Sequence, residues 1–530
     1  MLNAGRSNER PAVVVNPRLP LSFIAVSTTE RKRDGGDERL ERNVMIALLV
    51  ALTAAVLVGY IVYDPRATFD TLWALNWSRD LWDGRLPNFE AYRVPTEHPL
   101  LLLVGFLMQP AGDYAASLMV AWALVGYIAL LIGVYRLGTM AAGVLGGLVA
   151  FGLLASRLQV AYMAGVGFLD VPYAALICWA AVLEARKPRR GWSVWVLLTL
   201  GGLLRPEAWL LLGLYALWIG YPLGWSGRIR ALCYAAIAPL IWLLVDFTVT
   251  GNPLYSMTMT SSAAEALGRG RPLDTLPYYT IYWTNAMLKA PTSIIAALGV
   301  IAAIRRRRKE LILPAILVAT TWFSYLVIAV GGLANVWRYV LLAAIGLIVF
   351  ASFAITGWTT VERGTKLRRW WAAGAALLVI VGAGWTVTHL NLKRVDEEVR
   401  RRRALHDNFL SLLTNPAVLR ARRCGPVSLP TQKLLAEAKW DFRLDTGDPF
   451  PGSNPSVPEI IPRSDKTIPV QREGVAIVVN PGYEVRPDMN INEYPIDNGW
   501  TEVQIPPPDF KFLAGNEFFI AYGRCAPGSP

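Results

Sequence analysis

Charged residues, histidines and cysteines are all scarce in this sequence. Charged residues make up 17% of the 530 positions and hydrophobic residues 54%, a balance that excludes an ordinary soluble globular domain. The three histidines, at positions 98, 389 and 406, are too far apart for a metal-ligand motif, and no glycine-rich phosphate-binding loop is present. The sequence therefore predicts no cofactor, although it leaves a divalent metal open, and it argues against a soluble nucleotide-binding domain.

Long apolar runs take the place of charge. A helix of about 20 residues spans the roughly 30 Å hydrocarbon core of a bilayer, so these runs predict a polytopic α-helical membrane protein. A polar tail precedes the first run, so we expect no cleavable signal peptide. The runs lie at 44–63, 116–135, 139–155, 170–186, 206–222, 229–249, 284–304, 311–330, 337–357 and 371–390, with 192–204 as a shorter candidate.

Basic clusters between the runs predict the orientation, because loops rich in Lys and Arg stay in the cytoplasm. All of them can be cytoplasmic if about eleven helices cross and the short run 97–109 is incomplete, since thirteen residues cover about 20 Å. The N-terminus is then inside and the C-terminus outside. The net charge of +13 follows from this topology, so we do not expect nucleic-acid binding. The clusters lie at 31–33, 185–192, 227–230, 305–309 and 362–369.

Three regions follow from these patterns. We expect a disordered, basic cytoplasmic tail at 1–43, a transmembrane domain at 44–390 whose first outer loop is 64–96, and a small extracytoplasmic α/β domain at 391–530. The last begins with a charged amphipathic helix and contains strand-length apolar runs at 474–480 and 517–523.

Two of the four cysteines bracket the outer domain. Cys424 and Cys525 can pair in an oxidising exterior, which would stabilise a modest core, and two unpaired thiols are the alternative. The other two, Cys178 and Cys233, lie in apolar runs.

The first outer loop is rich in charge and aromatic side chains although it lies close to the lipid. It contains Asp70, Asp80, Asp83 and Glu97 beside several cations. A carboxylate that is partly desolvated near cations can act as a general base toward a hydroxyl group. For Asp80 and Asp83 the simpler interpretation is that they solvate the loop and cap short helices.

The order of several short motifs between about 44 and 360 resembles the GT-C membrane glycosyltransferases, which include the protein O-mannosyltransferases and the aminoarabinose transferases. Many relatives carry paired acids after the first span, whereas this chain has Asp70-Thr71. The matching motifs are Asp70 with Ser78, Arg79-Asp80-Leu81 and Gly84, then His98-Pro99-Leu100, Asp170 in "GVGFLDVPYAALICWA", Arg205-Pro206-Glu207-Ala208 and Trp337-Arg338-Tyr339.

This resemblance implies a GT-C-like fold and transfer of a sugar from a polyprenyl-phosphate-linked donor to an acceptor on the outer face. Asp70 is then the candidate base, and Asp170 is a second carboxylate that orients the acceptor or the neighbours of Asp70. Arg205 and Arg338 are candidate ligands of the donor phosphate, because a guanidinium presents forked donors. The alternative for both arginines is snorkelling toward the interface.

Three further residues, Glu97, His98 and Glu207, are predicted to line the substrate cavity. His98 fits a helix start and loop packing better than catalysis, and Asp246 could cap a helix or line the cavity.

The expected partners are the lipid-linked sugar donor, a glycan, lipid or protein acceptor, and membrane lipids, in the plasma membrane of a bacterium. A transporter or flippase of lipid-linked saccharides is the main alternative, although transporters tend to show internal repeats and ionisable groups at the bilayer midplane. A non-catalytic envelope assembly protein is the third possibility.

Overall fold

The computed structural model describes residues 35–89, 94–266, 272–389, 392–430, 432–444, 446, 459–460, 467–468, 471–480 and 506–526. The tail 1–34, the loop segment 90–93 and most of the proline-rich stretch 449–469 lie outside the described residues, so the predictions for them are not tested.

Eighteen α-helices are formed by the described residues, and most of the predicted apolar runs coincide with one of them. The helices are α1 (Gly35–Tyr63), α2 (Phe69–Trp82), α3 (Pro99–Met108), α4 (Ala115–Ala155), α5 (Leu158–Gly165), α6 (Asp170–Arg186), α7 (Trp192–Leu204), α8 (Ala208–Gly220), α9 (Trp225–Thr250), α10 (Tyr255–Ala266), α11 (Leu276–Leu288), α12 (Ala290–Arg305), α13 (Ile312–Val330), α14 (Leu341–Thr356), α15 (Lys366–His389), α16 (Leu392–Leu413), α17 (Pro416–Arg422) and α18 (Leu435–Asp441).

Six helical stretches are long and apolar enough to cross a membrane, and up to eight are if each of two bent helix pairs counts as one span. The short helices α7 and α8 are also apolar. The helix α3 has ten residues, and the 3-10 turn Gln109–Tyr114 joins it to α4 in one of the six stretches, so the incomplete crossing of the run 97–109 stays a prediction. The molecule is thus a mostly helical multi-pass membrane protein, and the figure of about eleven crossings stays a prediction.

The longest helix, α4, reverses its direction. On a straight helix, residues eight positions apart are about 12 Å apart. A Cβ atom added to Gly138 would nevertheless lie 2.6 Å from the carbonyl oxygen of Gly146, and the backbone is non-helical at Ala142 and Gly143. The runs 116–135 and 139–155 are therefore two arms of a helical hairpin, as two separate apolar runs predict.

The centre of the helical domain is α14, which is buried along almost its whole length and packs against α4, α12 and α13. Glycines permit two of these approaches. An added Cβ at Gly346 would lie 2.6 Å from the Pro314 carbonyl oxygen, and one at Gly299 would overlap the Phe350 carbonyl. Small residues at helix crossings are typical of membrane proteins, because they let backbones approach closely. The 3-10 turn Trp337–Val340, which contains Arg338, leads into the N-terminal end of α14.

The C-terminal domain combines α16, α17 and α18 with a four-stranded sheet. The six strands among the described residues, four in this sheet and two in a separate pair, are β1 (Val427–Ser428), β2 (Glu459–Ile460), β3 (Thr467–Ile468), β4 (Gly474–Val479), β5 (Lys511–Gly515) and β6 (Phe519–Arg524). The sheet order is β1-β4-β6-β5, in which β1 and β4 are parallel and the other pairs antiparallel, and β2 pairs with β3 separately. This is the α/β domain expected from the sequence.

A disulfide joins Cys424 to Cys525, with α-carbons 5.3 Å apart. Cys424 follows α17 and Cys525 follows β6, so the bond links a helix of the domain to its central strands.

Candidate active site

The helix α2 holds Asp70 in its first turn, where a carboxylate is favoured by the helix dipole. Thr71 next to it donates a hydrogen bond from Oγ1 to the carbonyl oxygen of Gly167 at 2.8 Å. Gly167 has φ of +82°, a conformation that favours glycine, and the turn it forms precedes Asp170. The start of α2 is thus fastened to the turn that carries the second predicted carboxylate.

Arg338 connects the two carboxylates. Its Nη1 atom lies 2.9 Å from Oδ2 of Asp70 and 3.9 Å from Oδ2 of Asp170. The two carboxylate oxygens are therefore at most 6.8 Å apart. The side chain of Arg338 also packs its guanidinium over the ring of Phe168 at 4.9 Å.

Asp170 is the first residue of α6 and is only 1% exposed. Its Oδ1 atom forms an ion pair with Nη2 of Arg205, while Oδ2 has no hydrogen-bond partner among the described residues. Arg205 pairs through Nη1 with Glu207 at 2.9 Å and stacks on the ring of Tyr339 at 4.4 Å. Arg205 is thus engaged on three sides, and its geometry is that of a side chain that holds Asp170 in place.

The five charged residues of this cluster comprise more acids than arginines. Asp70, Asp170 and Glu207 supply three carboxylates against the two guanidinium groups of Arg205 and Arg338. Because buried carboxylates are costly unless paired, the two guanidinium groups are what permits three acids to lie so close together.

A narrow cavity opens beside this cluster. Its charged end is formed by Asp170, Arg205, Glu207 and Arg338, and α13 contributes hydroxyl groups. Tyr173, Tyr325 and Tyr339 and an apolar wall complete the lining, so the cavity offers both charged groups and aliphatic surface. Asp70 is not among the residues that line this cavity, although it pairs with Arg338, which does, and 21% of its side chain is exposed. The α13 hydroxyls and the apolar wall include Thr320, Thr321, Ser324, Ile328, Leu211, Leu341 and Leu342.

His98 lies at the start of α3 and packs edge-on against Trp242. Burial, followed by the positive charge of Arg205, lowers the pKa of His98 to about 3. The imidazole is therefore neutral at physiological pH. Its buried Nδ1 atom has no hydrogen-bond partner among the described residues.

Glu97 is placed apart from the cavity. Its carboxyl group is 2% exposed and accepts a hydrogen bond from Oγ of Ser256 at 2.8 Å, and Ser256 also contacts Asp246 at 2.6 Å. Burial, followed by the neighbouring Asp246, raises the pKa of Glu97 to about 8. Glu97 is thus a protonated partner in a buried carboxyl pair rather than a residue of the cavity wall. The other partner, Asp246, caps α10 by accepting a hydrogen bond from the Ser256 amide.

The sequence analysis assigned no role to three contributors, Phe168, Tyr339 and Ser256. The first two lie within the quoted motifs, so the aromatic residues of those motifs were the available signal. Ser256 carried none, since a serine in a long loop has no distinctive pattern. Among the described residues, no group of three His, Cys, Asp or Glu is arranged to hold a metal ion.

Comparison of the whole structure with solved structures identifies the fold. ArnT from Cupriavidus metallidurans bound to undecaprenyl phosphate superposes with a TM-score of 0.53 at 13% identity, covering 91% of this chain and 98% of that one. The apo state of the same protein gives a TM-score of 0.47 at 12% identity over the same shares. No family model and no curated protein sequence matches the chain.

The first of these superpositions covers almost the complete length of both chains. The chain therefore has the fold of the GT-C membrane glycosyltransferases, as the order of its motifs predicts. At 13% identity this likeness concerns the fold, and the activity has to be argued from the site.

Proposed function

We propose that the protein is a membrane glycosyltransferase that moves a sugar from a polyprenyl-phosphate-linked donor to a hydroxyl-bearing acceptor at the outer face of the membrane. The observation that carries this proposal is the position of Arg338 between Asp70 and Asp170. Its Nε and Nη2 atoms make no hydrogen bond with any described residue, so a guanidinium that already holds the base retains donors for a phosphate.

Asp70 is the base in this mechanism. It takes the proton of the acceptor hydroxyl while the acceptor oxygen bonds to the anomeric carbon of the donor sugar. The bond from that carbon to the phosphate oxygen breaks with its electron pair, and the lipid phosphate leaves with the added negative charge. Arg338 stabilises that charge, which develops only as the bond breaks.

Asp170 and Glu207 have a different role in the proposal. Both carry a carboxylate oxygen without a hydrogen-bond partner among the described residues, and both line the cavity. Hydroxyl groups of a sugar are donors that satisfy such oxygens. We infer that these two side chains orient the transferred sugar or the acceptor, and that the apolar wall receives the first part of a prenyl chain. The neighbour with undecaprenyl phosphate supports a lipid phosphate as one partner.

The test compares Asp70→Asn with a matched control, Asp83→Asn, in purified protein. Asp83 lies just beyond the other end of α2, is 41% exposed and pairs with Arg85. Mass spectrometry of lipid-linked sugars and envelope glycans in a deletion strain first names the donor and acceptor. Asp70→Asn should then lower kcat by about 10² to 10⁴ while donor-lipid binding persists, and Asp83→Asn should behave as wild type.

The competing functions give different results. A flippase would show no transfer with the wild-type protein but would move lipid-linked saccharides across vesicles, and Asp70→Asn would reduce that flux. An assembly protein would show neither sugar transfer nor flux, and Asp70→Asn would change nothing in either assay. Either result would overturn the proposed reaction.

A further inference from the structure

The helix that carries Asp70 is in contact with the C-terminal domain along its other half. Asn76, Arg79 and Asp80 lie three and four residues apart and so share one face of α2. Asn76 donates from Nδ2 to the Ala436 carbonyl at 2.8 Å. Asp80 accepts hydrogen bonds from the amide of Thr446, at 3.1 Å, and from its hydroxyl. Asn76, Asp80 and Thr446 are buried.

Arg79 makes the largest number of these contacts. Its Nη1 atom donates to the Trp440 carbonyl at 3.2 Å, and Nη2 donates to the carbonyls of Lys439 at 3.0 Å and Leu444 at 2.9 Å. The guanidinium also lies over the Trp440 ring at 5.1 Å. Nη2 additionally donates to Oδ1 of Asn76 at 2.8 Å, and this hydrogen bond within α2 orients the guanidinium group.

Two of those acceptors, the carbonyls of Lys439 and Trp440, lie in the last turn of α18. They also accept hydrogen bonds from the amides of Leu444 and Arg443, and the guanidinium adds charged donors at an end of the helix where the helix dipole favours a cation. Here the arginine comes from the membrane domain. One side chain therefore caps a helix of the C-terminal domain and at the same time ties α2 to it.

The geometry of α2 extends this contact to the site. Nine residues separate Asp70 from Arg79, which is about 13 Å along a rigid helix. The first half of α2 is held by Thr71 on the Gly167 carbonyl, and the second half by Ser78, which donates to the Leu102 carbonyl of α3 at 2.8 Å, and by α18. Loss of the α18 contact would leave the second half held on one side only, so that α2 could tilt.

We propose that Arg79 is a positioning residue: by capping α18 it holds α2 at the angle that keeps Asp70 against Arg338, so that the C-terminal domain controls the alignment of the base. This inference rests on the proposed function for the role of Asp70. The contact between α2 and α18 does not depend on it.

The experiment measures alignment and catalysis separately. The variants are Arg79→Ala, Arg79→Lys and Thr446→Val, which removes a hydroxyl from the C-terminal side and leaves α2 unaltered. The control is Arg443→Ala, because Arg443 also joins the C-terminal domain to the helical domain, through Asp113 at 2.9 Å, but is 71% exposed and does not touch α2. Hydrogen exchange of peptides covering 69–82 reports the order of α2. Steady-state kinetics report kcat and the donor KM.

Arg79→Ala should exchange faster throughout 69–82 and lose about tenfold to a hundredfold in kcat with donor KM within about twofold, since a displacement near 1 Å can cost that much. Arg79→Lys should give an exchange rate and a kcat between those of Arg79→Ala and wild type. Thr446→Val should also exchange faster in 69–82 and have a lower kcat, and Arg443→Ala should match wild type in both quantities. If Arg79→Ala does not fold, Thr446→Val carries the test.

Unchanged exchange in 69–82 would overturn the inference whatever happens to kcat. Faster exchange with unchanged kcat would overturn the link to Asp70. If the wild-type protein transfers no sugar, the proposed function fails, and the exchange of α2 still decides whether Arg79 orders this helix.

Discussion

At the scale of single residues, the two arginines of the site differ in what surrounds them. Arg205 is committed to Asp170, Glu207 and the Tyr339 ring, whereas Arg338 is 23% exposed and retains donors toward the cavity. The sequence predicted both as phosphate ligands, because a motif arginine beside an apolar run has the same sequence pattern whether it binds a phosphate or holds a carboxylate. We therefore propose a division of roles, in which Arg205 holds the carboxylate of Asp170 and Arg338 binds the donor phosphate.

This division predicts different defects for Arg338→Gln and Arg205→Gln. Arg338→Gln should weaken donor binding, measured as a rise in donor KM or Kd of about tenfold or more, since a charge-assisted contact is worth about 1.5 to 3 kcal/mol. Arg205→Gln should instead lower the thermal stability, because removing one partner of a buried ion pair costs about 3 to 5 kcal/mol. Equal effects of the two variants on donor affinity, with no difference in stability, would contradict the division.

Glu97 provides a pH test at the same scale. Its pKa rises from 4.5 to about 8 on folding, mainly through burial, so the folded protein holds this proton more tightly than the unfolded chain. The stability it contributes is complete below about pH 4.5 and is lost as the pH rises through 8. The Tm of the wild-type protein should therefore fall between about pH 4.5 and 8 and level off above that range.

The variant Glu97→Gln cannot release that proton and should show a smaller fall in Tm over the same range, while Glu362→Gln, at an exposed position, should follow the wild type. A Glu97→Gln curve parallel to wild type would show that Glu97 is not the titrating group.

At the scale of helices and strands, local sequence patterns predicted most of the elements. They did not predict the contacts between segments that are distant in sequence. Apolar runs identified the helices because membrane burial imposes length and hydropathy on each segment separately. The reversal within α4 was implied by two runs that three residues separate. The strands at 474–480 and 517–523 were visible because β-branched and aromatic residues cluster there.

Contacts at the site joined residues far apart in sequence. Arg338 meets Asp70 across 268 positions, and Arg79 meets Lys439 across 360. No local periodicity encodes such a pair, so the resemblance to a family suggested the first and nothing in the sequence suggested the second. The same reason explains Glu97: its position beside His98 suggested the cavity, whereas its partners, Ser256 and Asp246, come from a distant hairpin.

The glycine contacts of α14 give a prediction at this scale. Gly346→Ala should destabilise the helical domain by about 1 to 3 kcal/mol, because the new methyl group would press on the Pro314 backbone, which cannot yield as a side chain would. Gly382→Ala in α15, where an added Cβ meets nothing within 4 Å, should be neutral or slightly stabilising. Thermal unfolding in detergent distinguishes the two, and equal Tm values would argue against close packing of α13 on α14.

At the scale of the whole molecule, the helical domain and the C-terminal domain are joined through α2. Among the described residues, the charged side chains that line the cavity all come from the helical domain, and the C-terminal domain contacts the helix that carries Asp70. A charged amphipathic helix, α16, connects the two domains, and its Arg403 lies 3.6 Å from Asp64 in the segment before α2. The C-terminal domain thus contacts the chain near both ends of α2, which is the arrangement expected if the domain maintains the site.

The disulfide is the means of testing that dependence, because it lies within the C-terminal domain and away from the residues of the site. Cys424 and Cys525 are 101 residues apart, and cross-linking a loop of this length stabilises a domain by about 2 to 5 kcal/mol. The double variant Cys424→Ser/Cys525→Ser should therefore increase hydrogen exchange in α17, β4 and β6. It should also increase exchange in α2, and lower kcat more than it raises the donor KM, while α14 stays protected at the centre of the helical domain.

The exposed thiol of Cys233 provides the control, since Cys233→Ser should change none of these quantities. If the C-terminal domain loosens but α2 and kcat do not respond, the domain has another task and the alignment of Asp70 belongs to the helical domain alone.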